Sequence, residues 1–257
     1  MQNITKEFAD KCLIVLTAGG ESSRFKSVTG SQGIHKAAFK LPNGDTMIER
    51  TIRLYKDLGF KNFLILLYYH SDSIKELLGD GSKMGINITY SHDPEKPIGR
   101  GGAMKNALVN GHIPPDTYIV IHNPDDQIVG DSKKILKGAI DAHVKNEEKN
   151  ALATAVLVEG TKYDFTGFGI EDDFVTSVEM YPFVKIPTHI GLTIFSPKIV
   201  DYFDRLFDAT KKTDFEAVLF PVLKDEKRLA AHIIPSGSWV SVNDEKGLKK
   251  LIKELGL

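Results

Sequence analysis

Between Cys12 and Asn123 the chain alternates short apolar runs with longer segments of helical spacing, and this alternation restricts the fold more than any other feature. The runs are CLIVLTA (12–18), NFLILLYY (62–69), INITYS (86–91) and TYIVIHN (117–123), rich in β-branched, aliphatic and aromatic residues. Between them, TMIERTIRLYKDLGF (46–60) spaces Met47, Ile48, Ile52, Leu54, Tyr55 and Leu58 along one helix face, with Gly59 as the C-terminal cap. SDSIKELLGDG (71–81) predicts a helix capped by Ser71 or Asp72, and GGAMKNALVNG (101–111) predicts another. Strand, helix and strand in repetition predict an α/β fold with a Rossmann-like, mostly parallel sheet. In such sheets ligands gather at the carboxyl ends of the strands.

After Asn150 the texture changes. ALATAVLVE, GFGIED, VTSVEMY and HIGLTIFS are shorter strand-like pieces with no long helix between them, which predicts a smaller, partly antiparallel region packed on the first. The ending alternates again: helices near PKIVDYFDRLF and FEAVLFPVL, a strand LAAHIIPS, and a basic helix EKGLKKLIKEL. With 257 residues, 42% of them hydrophobic, the chain can bury all of this as a single domain.

Charge narrows the function classes. The 33 basic and 34 acidic residues leave a net charge of -1, so nothing global favours nucleic acid or an acidic membrane, and any anion site must be local. Cys12 is the one cysteine, which excludes an internal disulfide and a cysteine zinc cluster and favours a reducing compartment. MQNITKEFADK is too charged for a secretory leader, and no apolar run reaches the roughly 20 residues of a membrane helix. A cytoplasmic location is expected.

The first strand ends in Ala18-Gly19-Gly20, followed by Glu21, Ser22, Ser23, Arg24 and Phe25. Paired glycines let the backbone approach a ligand and expose its N–H groups, as loops that cradle phosphate do. Ser22 and Ser23 add hydroxyls, and Arg24 adds a cationic fork suited to phosphate. The P-loop pattern G-x-x-x-x-G-K-[ST] is absent here, and G-x-G-x-x-G is not formed.

This stretch resembles the signature of the sugar-phosphate nucleotidyltransferases, L-A-G-G-x-G-T-R-L, through Leu16, Ala18, Gly19, Gly20 and Arg24. Lys36 in HKAAFKLPNGD matches the lysine of the family's proline-lysine-alanine motif, with His35 in place of the proline. PIGRGGAMKNAL (97–108) is similar to L-G-T-G-G-A-L-x-x-A, with Gly99, Gly101, Gly102 and Ala103 in place and Arg100 replacing a small residue. VIHNPDDQI resembles the strand that ends in N-G-D, and Asp125 falls on that aspartate, with Asp126 beside it. VTSVEMYPF and HIGLTIFSPKIV continue the likeness through Glu179 and Gly191, and GSWVSVNDEKGLKK is similar to G-x-W-x-D-I-G-T-P-E-D-L. There Ser241 stands where the family has a second metal-binding aspartate.

The resemblance implies transfer of a nucleotidyl group from a nucleoside triphosphate to a sugar 1-phosphate, with magnesium as cofactor. Residues 1–150 would form the nucleotide-binding part, and residues 151–257 the sugar-binding part and C-terminal helices. It implies that Ala18, Gly19, Gly20, Ser22, Ser23, Gly99, Gly101 and Gly102 contact nucleotide, and that Arg24 and Lys36 handle phosphate. It further implies that Asp125 holds magnesium with help from Asp126, and that Glu179, Gly191 and Trp239 face the sugar. Lys185 or Arg100 would contact the acceptor phosphate, and Asp244 is an alternative replacement for the missing acid. His35, His122 and His189 lack the spacing of a metal motif and are read as structural or solvent-facing. Two rivals stay open: a cytidylyltransferase acting on a non-sugar phosphate, and a nucleotide-binding regulator with weakened catalysis. Base, sugar and oligomeric state are not legible, a homodimer being one arrangement open to the chain. No β-helix repeat follows, so an acyltransferase tail is not expected.

Overall fold

A computed structural model describes residues 3–30 and 33–257. Helix α1 (Asn3–Asp10) leads into β1 (Cys12–Ala18), and the short α2 (Lys26–Thr29) follows the glycine turn. Then α3 (Met47–Lys56), β2 (Asn62–Leu67), α4 (Ser71–Leu78), β3 (Asn87–His92), α5 (Gly99–Val109) and β4 (Tyr118–His122) alternate as the apolar spacing predicts. β1 pairs in parallel with β2 on one side and β4 on the other, and β3 adds to β2. The chain therefore builds outward from β1 in one direction, then crosses to its other edge. That reversal opens a crevice at the carboxyl ends of β1 and β4.

The second half contains β5 (Asp126–Ile128), α6 (Ser132–Glu147), β6 (Ala153–Val158), β7 (Thr161–Lys162), β8 (Thr166–Glu171), β9 (Phe174–Met180), β10 (Phe183–Val184) and β11 (Thr188–Phe195). It closes with α7 (Ile199–Leu206), α8 (Phe215–Asp225), β12 (Leu229–Ile234), β13 (Trp239–Ser241) and α9 (Glu245–Glu254). Here the expectation of a region packed on the first needs correction. β6, β11 and β12 join the same seven-stranded sheet, in the order β12-β6-β11-β4-β1-β2-β3. The last six residues of β11 are buried, so this strand belongs inside the sheet, where it runs antiparallel to both β4 and β6. The antiparallel texture comes from β11 and from the hairpin β8–β9, which stands outside the sheet.

Local signals explain the element ends. Thr46 closes a capping box on α3: its hydroxyl accepts from the Glu49 N–H, and the Glu49 carboxylate accepts from the Thr46 N–H. α4 is entered through His70 in the left-handed region (φ 53°), so neither Ser71 nor Asp72 is its cap. Residues 132–147, to which the sequence pattern assigns no element, form α6, started by the Asp131 carboxylate on the Lys134 N–H.

Helices cover both sheet faces. Tyr55, Phe63, Leu136 and Ile140 belong to one core, and Met104, Phe203, Phe215 and Leu219 to the other. A third, smaller core gathers Phe25, Met47, Val240, Val242 and Leu251. It answers why a phenylalanine follows Arg24: Phe25 is fully buried and anchors the far end of the glycine turn beneath α9. No helix among the described residues is long and apolar enough to cross a membrane.

Candidate active site

A cavity of about 420 Å³ opens in the crevice where the strand order reverses. That volume suits a nucleotide-sized ligand. Gly19, Gly20, Lys36, Asp125 and Gly99 line it, together with apolar Leu66 and Leu67 from the end of β2. The turn after β1, the lysine downstream and the acid after β4 thus meet in one cleft, although 89 residues separate Lys36 from Asp125.

Lys36 is held from three sides. It opens a single 3-10 turn, Lys36–Ala38, whose N-cap is His35: the imidazole Nδ1 accepts from the Ala37 N–H at 3.1 Å. The Lys36 N–H donates to Ser22 Oγ at 3.3 Å, which ties this turn to the glycine loop. Its ammonium pairs with the Asp125 carboxylate and donates to Asn243 Oδ1 at 3.0 Å. Both ends of the ion pair are about five-sixths buried. The Asn243 amide is oriented in turn by its donation to Ser241 Oγ at 2.7 Å.

Beneath this pair lies a second layer. Asp126 is buried; its Oδ1 accepts from Trp239 Nε1 at 3.0 Å and its Oδ2 from Asn123 Nδ2 at 3.0 Å. Thr17 donates to Asn123 Oδ1 at 2.7 Å, linking the last turn of β1 to the loop after β4. Burial, reinforced by the neighbouring Asp125, pushes the Asp126 carboxyl up to about 6. His122 sits below, between the Tyr55 hydroxyl and the Asp126 carbonyl oxygen, and burial lowers it to about 4.

The cleft's far wall is an ionic network. Arg100 donates to Asp214 Oδ2 through Nε at 2.9 Å and Nη2 at 2.8 Å, and pairs with Glu216 at 2.6 Å. Burial alone would raise Glu216, but hydrogen bonding from His189 and the charge of Arg100 hold it down at about 2. Arg100 is therefore neutralised twice within the protein. It is a wall, not a free cation.

Several residues singled out from sequence take other positions. Arg24 and Ser23 are exposed and do not line the cavity, and the half-buried Ser22 supports Lys36. Ala18 is buried at the end of β1. Gly101 and Gly102 face protein: a Cβ on Gly101 would lie 2.3 Å from the Phe207 ring, and one on Gly102 would lie 2.8 Å from the Lys211 carbonyl oxygen. Gly191, with φ +69°, packs its Cα against Asn123 and Asp126. Trp239 anchors Asp126, Glu179 and Lys185 are exposed outside the cavity, and Asp244 is committed as the N-cap of α9, accepting from Gly247 N–H at 2.8 Å. The sequence reading missed Asn243, Asn123, Thr17, Asp93, Lys212 and Asp214. Among them, Asn123 stands at the first position of the N-G-D motif and Asn243 two residues past Ser241; the other four carried no local signal.

The buried histidines carry a pH prediction. Burial lowers His35, His122 and His143 each to about 4. A base whose folded pKa lies below its unfolded value stabilises the fold fully above pH 6.5, and that stability is lost as pH falls toward 4. Each contributes about 3 kcal/mol at the acid end. Asp126 opposes them, because a carboxyl raised to about 6 becomes less unfavourable as pH falls through 6. Three outweigh one, so thermal unfolding scanned from pH 7 to 4 should show Tm falling steeply below pH 6. A flat profile would contradict the burial of these imidazoles.

The arrangement can grip a polyphosphate. Backbone N–H groups at Gly19 and Gly20 border the cleft, as does His35, whose Nε2 is buried without a hydrogen-bond partner. With Nδ1 accepting, Nε2 carries the proton, and the Gly20 backbone beside the ring favours it there. A divalent ion in this cleft would also find fitting donors. Asp125 and Asn243 aim oxygens at one point, which the Lys36 ammonium now occupies. No three His, Cys, Asp or Glu side chains are grouped to hold a metal among the described residues, so water and ligand oxygens would complete the shell, as magnesium allows.

Comparison with known proteins agrees with this geometry. A mannose-1-phosphate guanylyltransferase catalytic subunit beta from Drosophila pseudoobscura pseudoobscura is 21% identical over 235 residues, covering 90% of this chain and 59% of the relative. A UTP–glucose-1-phosphate uridylyltransferase from Synechocystis sp. is 22% identical, covering 82% of this chain and 55% of the relative. The chain thus spans somewhat over half the length of these relatives. Among solved structures, HddC from Yersinia pseudotuberculosis, also solved with GMP-PN, superposes with a TM-score of 0.66 at 22% identity, covering 95% of this chain and 99% of HddC. The inositol-1-phosphate CTP transferase from T. maritima superposes at 0.68 with 12% identity, covering 95% and 94%. The family profile described as nucleotidyl transferase matches residues 13–251, and the chain belongs to that family.

Proposed function

We propose that this protein transfers a nucleotidyl group from a nucleoside triphosphate to a sugar 1-phosphate, releasing pyrophosphate. The observation that carries the reading is the convergence of Gly19, Gly20, Lys36 and Asp125 on one cleft of nucleotide size. The names of its relatives favour a sugar 1-phosphate as acceptor.

In this reading the acceptor's phosphate oxygen attacks the α-phosphorus. A new P–O bond forms, the bond between the α-phosphorus and the α–β bridging oxygen breaks, and pyrophosphate leaves with that oxygen and its electron pair. The attacking oxygen is already anionic at neutral pH, so positioning and charge stabilisation suffice without a general base. The N–H groups of the glycine turn donate to phosphate oxygens. Lys36 leaves its pair with Asp125 and stabilises charge on the α-phosphoryl group. Asp125 and the Asn243 carboxamide hold magnesium, which supplies charge neutralisation and alignment of the phosphates when bound. Arg24, exposed and outside the cavity lining, takes no part in this reading.

With Ser241 at the place of the family's second acid, Asn243 offers a neutral carboxamide oxygen instead of a charge, which lowers but does not abolish affinity for a hard cation. Manganese binding, read by the loss of its free-ion electron paramagnetic resonance signal, should weaken by on the order of tenfold in Asn243→Ala. It should strengthen in Asn243→Asp. Equal binding in all three proteins would remove Asn243 from the site.

The function itself is tested by a panel of nucleoside triphosphates against common sugar 1-phosphates, with magnesium, read as pyrophosphate release. Inositol 1-phosphate and phosphocholine with CTP form a second arm. Release with a sugar 1-phosphate supports the proposal. Release only in the second arm would replace the sugar with another phosphate ester, and no release in either would leave a nucleotide-binding protein.

A further inference from the structure

The sequence between Tyr163 and Ile186 holds eleven of the fourteen exposed large apolar side chains among the described residues. The ladder of β8 and β9 sorts them by face. Thr166 opposes Met180, Phe168 opposes Val178 and Ile170 opposes Val175, so five apolar side chains share one side. The other side carries Gly167, Gly169, Ser177 and Glu179, with Glu171 and the exposed Phe174 beside the turn. Asp172 and Asp173, both at positive φ, form the two-residue turn between the strands, as a type I′ hairpin requires. Phe168 is 59% exposed, Ile170 72%, Val178 61% and Met180 68%. An isolated two-stranded hairpin is marginal in water, and one with a wet apolar face is more so.

We infer that this face docks on the same face of a second copy of the chain, giving a two-fold symmetric dimer. Area supports that occupant. The five side chains of this face, 57–72% exposed, leave on the order of 600 Å² to cover on each copy, so a symmetric pair would bury about 1,200 Å² in total, the lower limit for a specific interface.

Charge supports the orientation. Glu171, Asp172 and Asp173 make the hairpin tip acidic, and no Lys or Arg lies between Lys162 and Lys185. The base carries Lys162 and Lys185, with Lys246 over the Tyr181 ring and paired with Asp164 at 3.3 Å, so it keeps an excess of positive charge. Two hairpins crossing antiparallel about a two-fold axis would set each acidic tip against the other's basic base while their apolar faces meet. A parallel crossing would set tip against tip. A two-fold contact of this kind uses the same patch twice, so no further partner is needed.

Sedimentation equilibrium of the full chain tests the inference. Wild type should show twice the chain mass at about 10 µM. Phe168→Asp with Val178→Asp should shift dissociation upward at least about 100-fold and sediment as monomer, with an unchanged thermal transition confirming that the fold survives. A second variant, Glu171→Lys with Asp172→Lys and Asp173→Lys, should weaken the dimer, and adding Lys162→Glu should recover part of the loss. A monomeric wild type at that concentration would overturn the inference and leave the face to another occupant. A dimer untouched by both variants would overturn it by locating the interface elsewhere.

Discussion

Asp125→Ala is expected to lower pyrophosphate release by at least about 1,000-fold, with Lys36→Ala losing about 100- to 1,000-fold. The two should not multiply. Each residue is the other's principal partner in the free protein, and each acts on the same phosphate charge during transfer, so the double variant should fall close to Asp125→Ala alone. The free-enzyme ion pair makes a further distinction. Removing Lys36 leaves Asp125 unpaired, which favours a divalent cation there, so manganese should bind Lys36→Ala at least as tightly as wild type while turnover is lost. Removing Asp125 should weaken metal binding and turnover together. Metal binding lost in Lys36→Ala would mean that the lysine holds the site open and takes no part in the chemistry.

Gly191→Ala is expected to destabilise the protein by about 2–4 kcal/mol, lowering Tm by roughly 5–15 °C. Two costs combine. Gly191 has φ +69°, where a side chain is strained, and its new Cβ would stand 2.3 Å from both Asn123 Nδ2 and Asp126 Oδ2. These atoms are bonded to each other and cannot yield cheaply. Asn123 also receives the Thr17 hydroxyl and donates its N–H to the Gly191 carbonyl, so a shift there loosens β1, β4 and β11 at once. Differential scanning calorimetry reads the effect. Melting within about 2 °C of wild type would show that the loop after β4 is looser than these contacts imply.

The same contacts show which parts of the molecule the sequence carries and which it hides. The strands β1 to β4 were legible because both sheet faces are covered, so each reads as an apolar run with few competing interpretations. The antiparallel place of β11 was not, because a strand's pairing partner is chosen by the whole sheet and leaves no mark in its own residues. α6 was missed although Leu136, Ile140 and Val144 repeat at helical spacing; Gly138 and five lysine or glutamate residues between 132 and 147 diluted the pattern.

At the site, the separation between legible and hidden is chemical. Gly19, Gly20, Lys36 and Asp125 stand in ordered motifs, and the cleft unites them. Thr17 meets Asn123 across 106 residues of chain and Lys36 meets Asn243 across 207, a relation no local pattern records. Gly101, Gly102 and Gly191 were read as ligand contacts, yet their missing Cβ atoms make room for Phe207, Lys211 and Asp126. A motif glycine announces close approach without saying to what. His35 shows the converse: at the position of a proline it keeps the cap on the Lys36 turn through Nδ1, while its ring lies buried in the wall of the cleft.

The most direct test follows the attacking atom. The substrate pair with the highest turnover would be supplied with ¹⁸O in the non-bridging oxygens of the sugar 1-phosphate, and the products read by ³¹P nuclear magnetic resonance. Attack by that phosphate on the α-phosphorus places one labelled oxygen in the new diphosphate bridge, so both product resonances shift upfield and the released pyrophosphate stays unlabelled. Label in the pyrophosphate, or a product bridge without it, would contradict the account.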